Sequence, residues 1–347
     1  MKYLAGILIL LFAVMGVQAD CPISQYMVEN TNRIFTYRDD RGALQLLRAQ
    51  PVPSGLKLYM FCNEQDVLET ECQDNGSFSV ALPMSCSSPM KTTVMKDGRN
   101  SDCPQTLYIV GYKLEGQQLE LYRSCYDGHN GRALYSQSDV YFKKYFAKRP
   151  WVDFDTDQIV KPIEAAAYMK HRMYDEFQLV FGKKQQYLPS ARELVINRGH
   201  LVPSADFLFC DQMASTFRYI NVVPQFKSIN DGNWEKIERW LRDQVTVQQP
   251  FRIRTGGIDI LRLQDENGNE RSACLANDKL PVPKWIYKVV RDTQGNGLYA
   301  FLSYNNIFER QRPPVLSTCQ SVACPFTLPD NPNAGFIYCC NPTNFPY

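Results

Sequence analysis

In Glu193-Leu194-Val195-Ile196-Asn197-Arg198-Gly199-His200-Leu201-Val202-Pro203, apolar and β-prone residues run directly into a cation, a glycine and an imidazole. The run predicts a buried strand over Leu194 to Arg198 that delivers Arg198 and His200 to a solvent-facing edge. His200 is one of three histidines, with His129 and His171. Histidine is the side chain best suited to move protons near neutral pH, so His200 is the first candidate for a general base.

Outward from this strand, the loop Pro203-Ser204-Ala205-Asp206 leads to a second expected strand, Phe217 to Val223, closed by Pro224. Ser228 or Asn230 can cap a helix running from Trp234 to Gln244, with Trp234, Ile237, Leu241 and Gln244 on its buried stripe. If the turn at Asn230 keeps the helical register, Asn230, Trp234, Glu238 and Arg242 share a face, being spaced four apart. Taken alone, that face reads as an ordinary charged helix surface. Packed against the strand pair, it brings Asn230 near His200. An amide oxygen is a hard, neutral ligand that suits Mg²⁺, a metal that keeps most of its waters. His200, at its ordinary pKa of about 6.5, would deprotonate water. Arg198 and Arg242 would hold phosphate oxygens, and Glu238 would order metal waters or an arginine.

Three ordered blocks carry a family resemblance. Asn197-Arg198-Gly199-His200-Leu201-Val202-Pro203-Ser204-Ala205-Asp206 resembles the signature of the DNA/RNA non-specific endonucleases of the ββα-metal type. Asn221-Val222-Val223-Pro224-Gln225, followed by Asn230-Asp231-Gly232-Asn233-Trp234 and Glu238, resembles that family's second block. Val282-Pro283-Lys284-Trp285-Ile286-Tyr287-Lys288-Val289-Val290 resembles a strand further along. The resemblance covers residues 126 to 310, and the cysteine-rich, exported arrangement is similar to arthropod extracellular nucleases. It implies an α+β fold, a ββα-metal core on an antiparallel sheet. It implies His200 as general base, Asn230 as metal ligand and Glu238 as supporting carboxylate. Arg198 and Arg242, with Asn221, then attend the substrate. It also implies Mg²⁺, with Mn²⁺ or another divalent cation substituting, and hydrolysis of DNA and RNA to 5′-phosphate products. The family places an upstream arginine on the transition-state phosphate. Arg132 is the match and Arg172 its rival. Asn197 departs from the family's usual Asp, which predicts altered metal or pH dependence. The alternatives are a non-catalytic secreted binding protein on the same scaffold, or a nuclease restricted to one nucleic acid.

Residues 20–125 carry six of the twelve cysteines in short apolar runs, such as Gly55 to Cys62 and Thr106 to Tyr112, separated by turns. They predict a small disulfide-stapled, β-rich module, with the nuclease domain over 126–310. The cluster Lys143, Lys144, Lys148 and Arg149 reads as a solvated face. Residues 162 to 182 predict one helix with Ile163, Ala166, Ala167, Met169, Met173 and Phe177 on its apolar side. Gly256-Gly257 and Asp265 to Asn269 read as turns, and Trp285–Val290 with Gly297–Leu302 as a strand hairpin. The Pro-rich tail, residues 311–347, reads as a cysteine-containing strap packed on the nuclease domain.

The ends and the bulk numbers set the setting. Lys2, the apolar run Leu4 to Val17 and Val17-Gln18-Ala19 predict a secretory signal peptide over residues 1–19. No later segment is long and apolar enough to cross a bilayer, so no membrane association is expected after cleavage. All twelve cysteines follow the cleavage site, which predicts up to six disulfides of undetermined pairing in an exported, extracellular protein. No Cys-x-x-Cys pair supports a zinc site. Asn75-Gly76-Ser77 is a glycosylation sequon. At 347 residues two domains are expected. A net charge of +2 confines any polyanion site to a local patch. Oligomeric state is not legible.

Overall fold

The computed structural model describes residues 18–82, 85–98 and 102–346. Most of the expected signal peptide, residues 1–17, lies outside them. Among the described residues no helix is long and apolar enough to cross a membrane.

After a short helix α1 (Gln25–Glu29), strands β1 (Ile34–Arg38), β2 (Leu44–Leu46), β3 (Lys57–Asn63) and β4 (Asp66–Glu71) form an antiparallel sheet ordered β2-β1-β3-β4. The disulfide Cys21–Cys72 closes it. Next come β5 (Thr93–Asp97), β6 (Thr106–Leu114), β7 (Gln117–Asp127) and β8 (Arg132–Val140). The tight turn between β6 and β7 is Glu115-Gly116, both with positive φ, the geometry that matches strand twist in a two-residue hairpin. Then follow α2 (Pro162–Ala166), α3 (Lys170–Phe181), β9 (Ile196–His200), α4 (Cys210–Ala214) and β10 (Val222–Phe226). A single turn α5 (Lys227–Ile229) and a wide turn over Asn230–Trp234 lead into α6 (Glu235–Gln244). Beyond lie β11 (Phe251–Ile260), two short ribbons β12 (Arg262–Gln264) with β13 (Glu270–Ser272) and β14 (Cys274–Ala276) with β15 (Lys279–Pro281), then β16 (Pro283–Arg291), β17 (Gly297–Tyr304), β18 (Ser321–Val322) and β19 (Ile337–Cys340).

Nine strands make one sheet, ordered β18-β19-β17-β16-β11-β8-β7-β6-β5, and every pairing in it is antiparallel. The α+β class, with a ββα unit on an antiparallel sheet, is the architecture observed. The expected boundary at 125/126 falls inside this sheet, because β6 and β7 hydrogen-bond onward to β8. One core cluster joins Ile34, Leu44 and Phe61 of the first sheet to Trp234, Ile237, Leu241 and Val290. The C-terminal strap contributes β18 and β19 to the sheet edge and is held by Cys319–Cys340 and Cys324–Cys339. Cys103–Cys125 is the fourth disulfide found among the described residues.

Two local expectations change. Gly256 and Gly257 lie within β11, not in a turn. A Cβ at Gly256 would overlap the Leu134 carbonyl oxygen and the Tyr287 hydroxyl, so the glycine is there for close approach. The helix expected over 162 to 182 breaks into α2 and α3. Met169, with extended backbone, precedes α3, and the break turns Ile163 (72% exposed) and Met169 (53% exposed) outward while Met173 and Phe177 stay buried.

Candidate active site

Strands β9 and β10 pair antiparallel, with His200 opposite Val222 and Asn197 opposite Gln225. They begin and end a few residues later in sequence than the alternating pattern alone suggests. Tyr219–Asn221 is a helical turn, so the second strand starts at Val222. Gly199 has a steric reason: a Cβ there would overlap the amide of Gln225, which is fully buried beneath it. The chain then turns through α5 and returns as α6 across the face of the large sheet. Trp234, Ile237 and Leu241 are buried, and Trp240 stacks on Phe326 of the strap at 4.9 Å.

The wide turn departs from helical geometry at Gly232 (φ −101, ψ −116). Asn230 therefore does not simply continue the register of α6. Trp234 faces the core rather than the face shared with Asn230, and the Lys288 ammonium sits 5.1 Å from its ring centroid. Asn230, Glu238 and Arg242 nevertheless line one cleft of about 470 Å³ together with Asn197, Arg198 and His200. The strap fixes the turn: the Asn233 amide donates to the carbonyls of Pro329 and Gly335, each at 2.7 Å, and its backbone N–H to Ala334 at 3.1 Å.

The His200 ring lies between Phe154 (5.3 Å) and Phe217 (5.0 Å). Its Nε2 is buried with no hydrogen-bond partner among the described residues. Burial, and then the nearby guanidinium ions of Arg149 and Arg198, push its pKa down to about 3, far below the ordinary value taken above. At neutral pH the ring is neutral, and with a pKa this low it is a weak base unless phosphate charge offsets the two guanidinium ions. Arg198 stacks on Phe154 at 4.3 Å and donates to the Tyr219 hydroxyl at 3.3 Å.

Glu238 is held by the buried ammonium of Lys288 at 3.8 Å. Burial outweighs that attraction and raises its pKa to about 7. Arg242 pairs with the buried carboxylate of Asp206 at 3.2 Å, which fixes the guanidinium at the cleft. Asn230 donates to Asp231 at 2.9 Å, and its amide oxygen accepts no hydrogen bond among the described residues. No group of three His, Cys, Asp or Glu that could hold a metal exists among the described residues.

Two expected residues lie elsewhere. Arg132 is not part of the cleft; it sits at the β7–β8 turn beside Asp127, 3.6 Å away. Asn221 is fully buried, and its amide is consumed by the fold: it accepts from Val202 N–H and donates to Val202 and Thr216 carbonyls, all at 3.0 Å. It shapes the loop after β9 and is not free for substrate. Arg149, in contrast, lines the cleft and stacks on Phe217 at 5.1 Å. With Lys143, Lys144 and Lys148 it reads in sequence as a solvated basic cluster, and only the ring of Phe217 reveals where it points. A larger cavity of about 780 Å³ lies between the two sheets. Its guanidinium groups are already engaged, Arg252 with Asp139 at 2.8 Å and Arg48 with the Leu121 and Asp139 carbonyls, and it holds no imidazole.

The pattern of the DNA/RNA non-specific endonuclease family matches residues 103–345. The chain belongs to that family. The match takes in β6, β7 and the strap as well as the ββα unit, in keeping with the continuous sheet. A salivary endonuclease of Lutzomyia longipalpis is 31% identical over 258 residues, which are 73% of this chain and 62% of that protein. The chain therefore spans under two thirds of that relative. Salivary protein Tsal2A of Glossina morsitans morsitans is 24% identical over 353 residues, 92% of this chain and 85% of its own. The mitochondrial nuclease EXOG of Xenopus laevis is 32% identical over 96 residues, 27% of this chain.

Proposed function

We propose that the chain is a secreted, divalent-metal-dependent endonuclease that hydrolyses DNA and RNA without strong sequence preference. The carrying observation is the convergence in one cleft of His200, with its unpartnered buried nitrogen, and Asn230, with its free amide oxygen, from separate elements. The donor set fits a hydrated Mg²⁺ or Mn²⁺: one neutral amide oxygen at Asn230, with Glu238 nearby for the waters. Such an ion would neutralise charge on the phosphate and on the departing oxygen.

The chain's own residues then do the following. His200, neutral at physiological pH, takes the proton from the attacking water. The flanking rings of Phe154 and Phe217 hold the imidazole in place and keep water from its face. Arg149 and Arg198 offer charge-assisted hydrogen bonds to phosphate oxygens. Arg149 takes the upstream position that Arg132 leaves empty. Arg242, fixed by Asp206, lines the Glu238 side of the cleft. Water is the nucleophile, so no 2′-hydroxyl is required, and contacts fall on phosphate. Export is supported by the disulfides and by the salivary relatives. The sequon at Asn75 is exposed, consistent with glycosylation there.

The test uses purified protein with plasmid DNA and with RNA, in Mg²⁺ or in chelator, beside His200→Ala. Both substrates are cut only with metal, and His200→Ala loses about 10²-fold or more. Absence of metal-dependent cutting by the wild type would remove the enzyme reading. Unchanged cutting by His200→Ala would remove the base.

A further inference from the structure

The chain has four tryptophans. Trp234 and Trp285 are buried, and Trp240 is stacked on Phe326. Trp151 is different: it is 103% exposed and has no ring, cation or hydrogen-bond partner among the described residues. It stands on the irregular segment 141–154, between two stretches that reach the cleft, Phe146 to Arg149 on one side and Phe154 on the other.

Pro150 stiffens this arrangement. It fixes its own φ and biases Arg149 toward extended backbone. In extended chain, residues two apart face the same side, with Cα atoms within about 7 Å. Arg149 lines the cleft, and the chain two residues on carries the free indole of Trp151 outside that lining, at the cleft's edge and fully in solvent. A guanidinium with a flat aromatic face one step away matches a nucleotide, which carries a phosphate and a flat base at similar reach.

We propose that Trp151 is a stacking platform at the cleft rim for an unpaired nucleobase adjoining the phosphate held by Arg149, making single-stranded nucleic acid the preferred substrate class. The proposal rests on the nuclease reading of the cleft. In a duplex the base faces are covered by their neighbours, so the indole gains a partner there only after a base is unstacked. A single strand offers the face at no such cost. The exposed apolar side chains nearby, Phe146 (46%) and Val152 (43%), would also suit a lipid surface. Lys148, with its side chain 87% exposed, would suit either surface, but Arg149 is turned onto Phe217 at the cleft and argues for nucleic acid.

The experiment measures binding, so it does not depend on turnover. Full-length His200→Ala and His200→Ala/Trp151→Ala proteins are titrated with a short oligothymidylate, with a blunt duplex and with anionic phosphatidylserine vesicles. Trp151 is fully exposed, so its replacement leaves the fold intact, which thermal unfolding checks. Oligothymidylate quenches tryptophan emission only when Trp151 is present. The Trp151→Ala change weakens oligothymidylate binding by at least about fivefold and duplex binding by less than about twofold. Equal losses on both nucleic acids, no loss on either, or an emission change with vesicles alone overturns the proposal. Quenching with a wild type that cuts nothing leaves the platform standing and removes the nuclease reading. Cutting that ignores Trp151 on single strands does the reverse.

Discussion

His200 owes its character to what surrounds it. Two aromatic rings, one tilted and one edge-on, help bury it, and Arg149 and Arg198 oppose a further positive charge, so its pKa falls to about 3. Because the folded value lies below the unfolded one of about 6.5, its contribution to stability is full above about pH 6.5 and fades as pH falls toward about 3. Glu238 has the opposite sign. Its folded pKa of about 7 exceeds the ordinary 4.5, so its contribution is full below 4.5 and is lost as pH rises through about 7. Two outcomes are expected. The NMR signals of the His200 ring stay constant from roughly pH 5 to pH 8. The pH profile of kcat/KM shows an ionisation near 7 that Glu238→Gln removes. A His200 titration near 6.5 would contradict the burial described here. The sequence carried His200, Asn230, Glu238, Arg198 and Arg242 because each lies in a local run with a characteristic spacing. It did not carry Arg149, whose partner Phe217 is far along the chain, nor the fate of Asn221, whose amide is spent on Val202 and Thr216.

At the scale of elements, the ββα unit was legible from alternation followed by helical spacing. What was not legible is why its turn is wide. Gly232 comes within 3.2 Å of Ala334 of the strap for any Cβ it might carry, and Asn233 is fully buried against the same segment. Those contacts join residues about a hundred positions apart and leave no periodic trace. Asn233→Ala leaves the buried carbonyl of Gly335 without this donor and also removes the bond to the carbonyl of the exposed Pro329. It should destabilise the protein by about 2 kcal/mol, read by denaturant unfolding. It should also raise the metal concentration needed for half-maximal cutting, because the turn it anchors carries Asn230. Stability lost with metal response unchanged would show that the strap supports the core and not the turn. The glycines make the same point in reverse. Gly256-Gly257 has turn composition, yet it marks a crowded spot within β11.

At the scale of the molecule, the sheet overrides the division that composition suggests. Cysteine density changes near residue 125, but hydrogen bonding does not, and β6 and β7 are as much a part of the nuclease sheet as β11. The four-stranded sheet β2-β1-β3-β4 shares a core with it through Ile34, Leu44 and Phe61. Two of the four disulfides found among the described residues lie in the strap, closing spans of 21 and 15 residues. Each is worth about 3 kcal/mol of order in the segment it closes. Mild reduction should therefore lower cutting activity while the far-ultraviolet circular dichroism of the sheet persists. Full activity with all thiols free would contradict this.

The strap's bond to Asn233 has a consequence for the cell that makes the protein. A nuclease of the kind proposed would be a hazard to its own host's messages and genome. Here the turn bearing Asn230 is braced by a segment whose crosslinks persist only in an oxidising compartment. Under the proposed function, chain left in a reducing compartment would carry an unlatched Asn230 turn, a safety catch released only by the oxidation that forms these crosslinks.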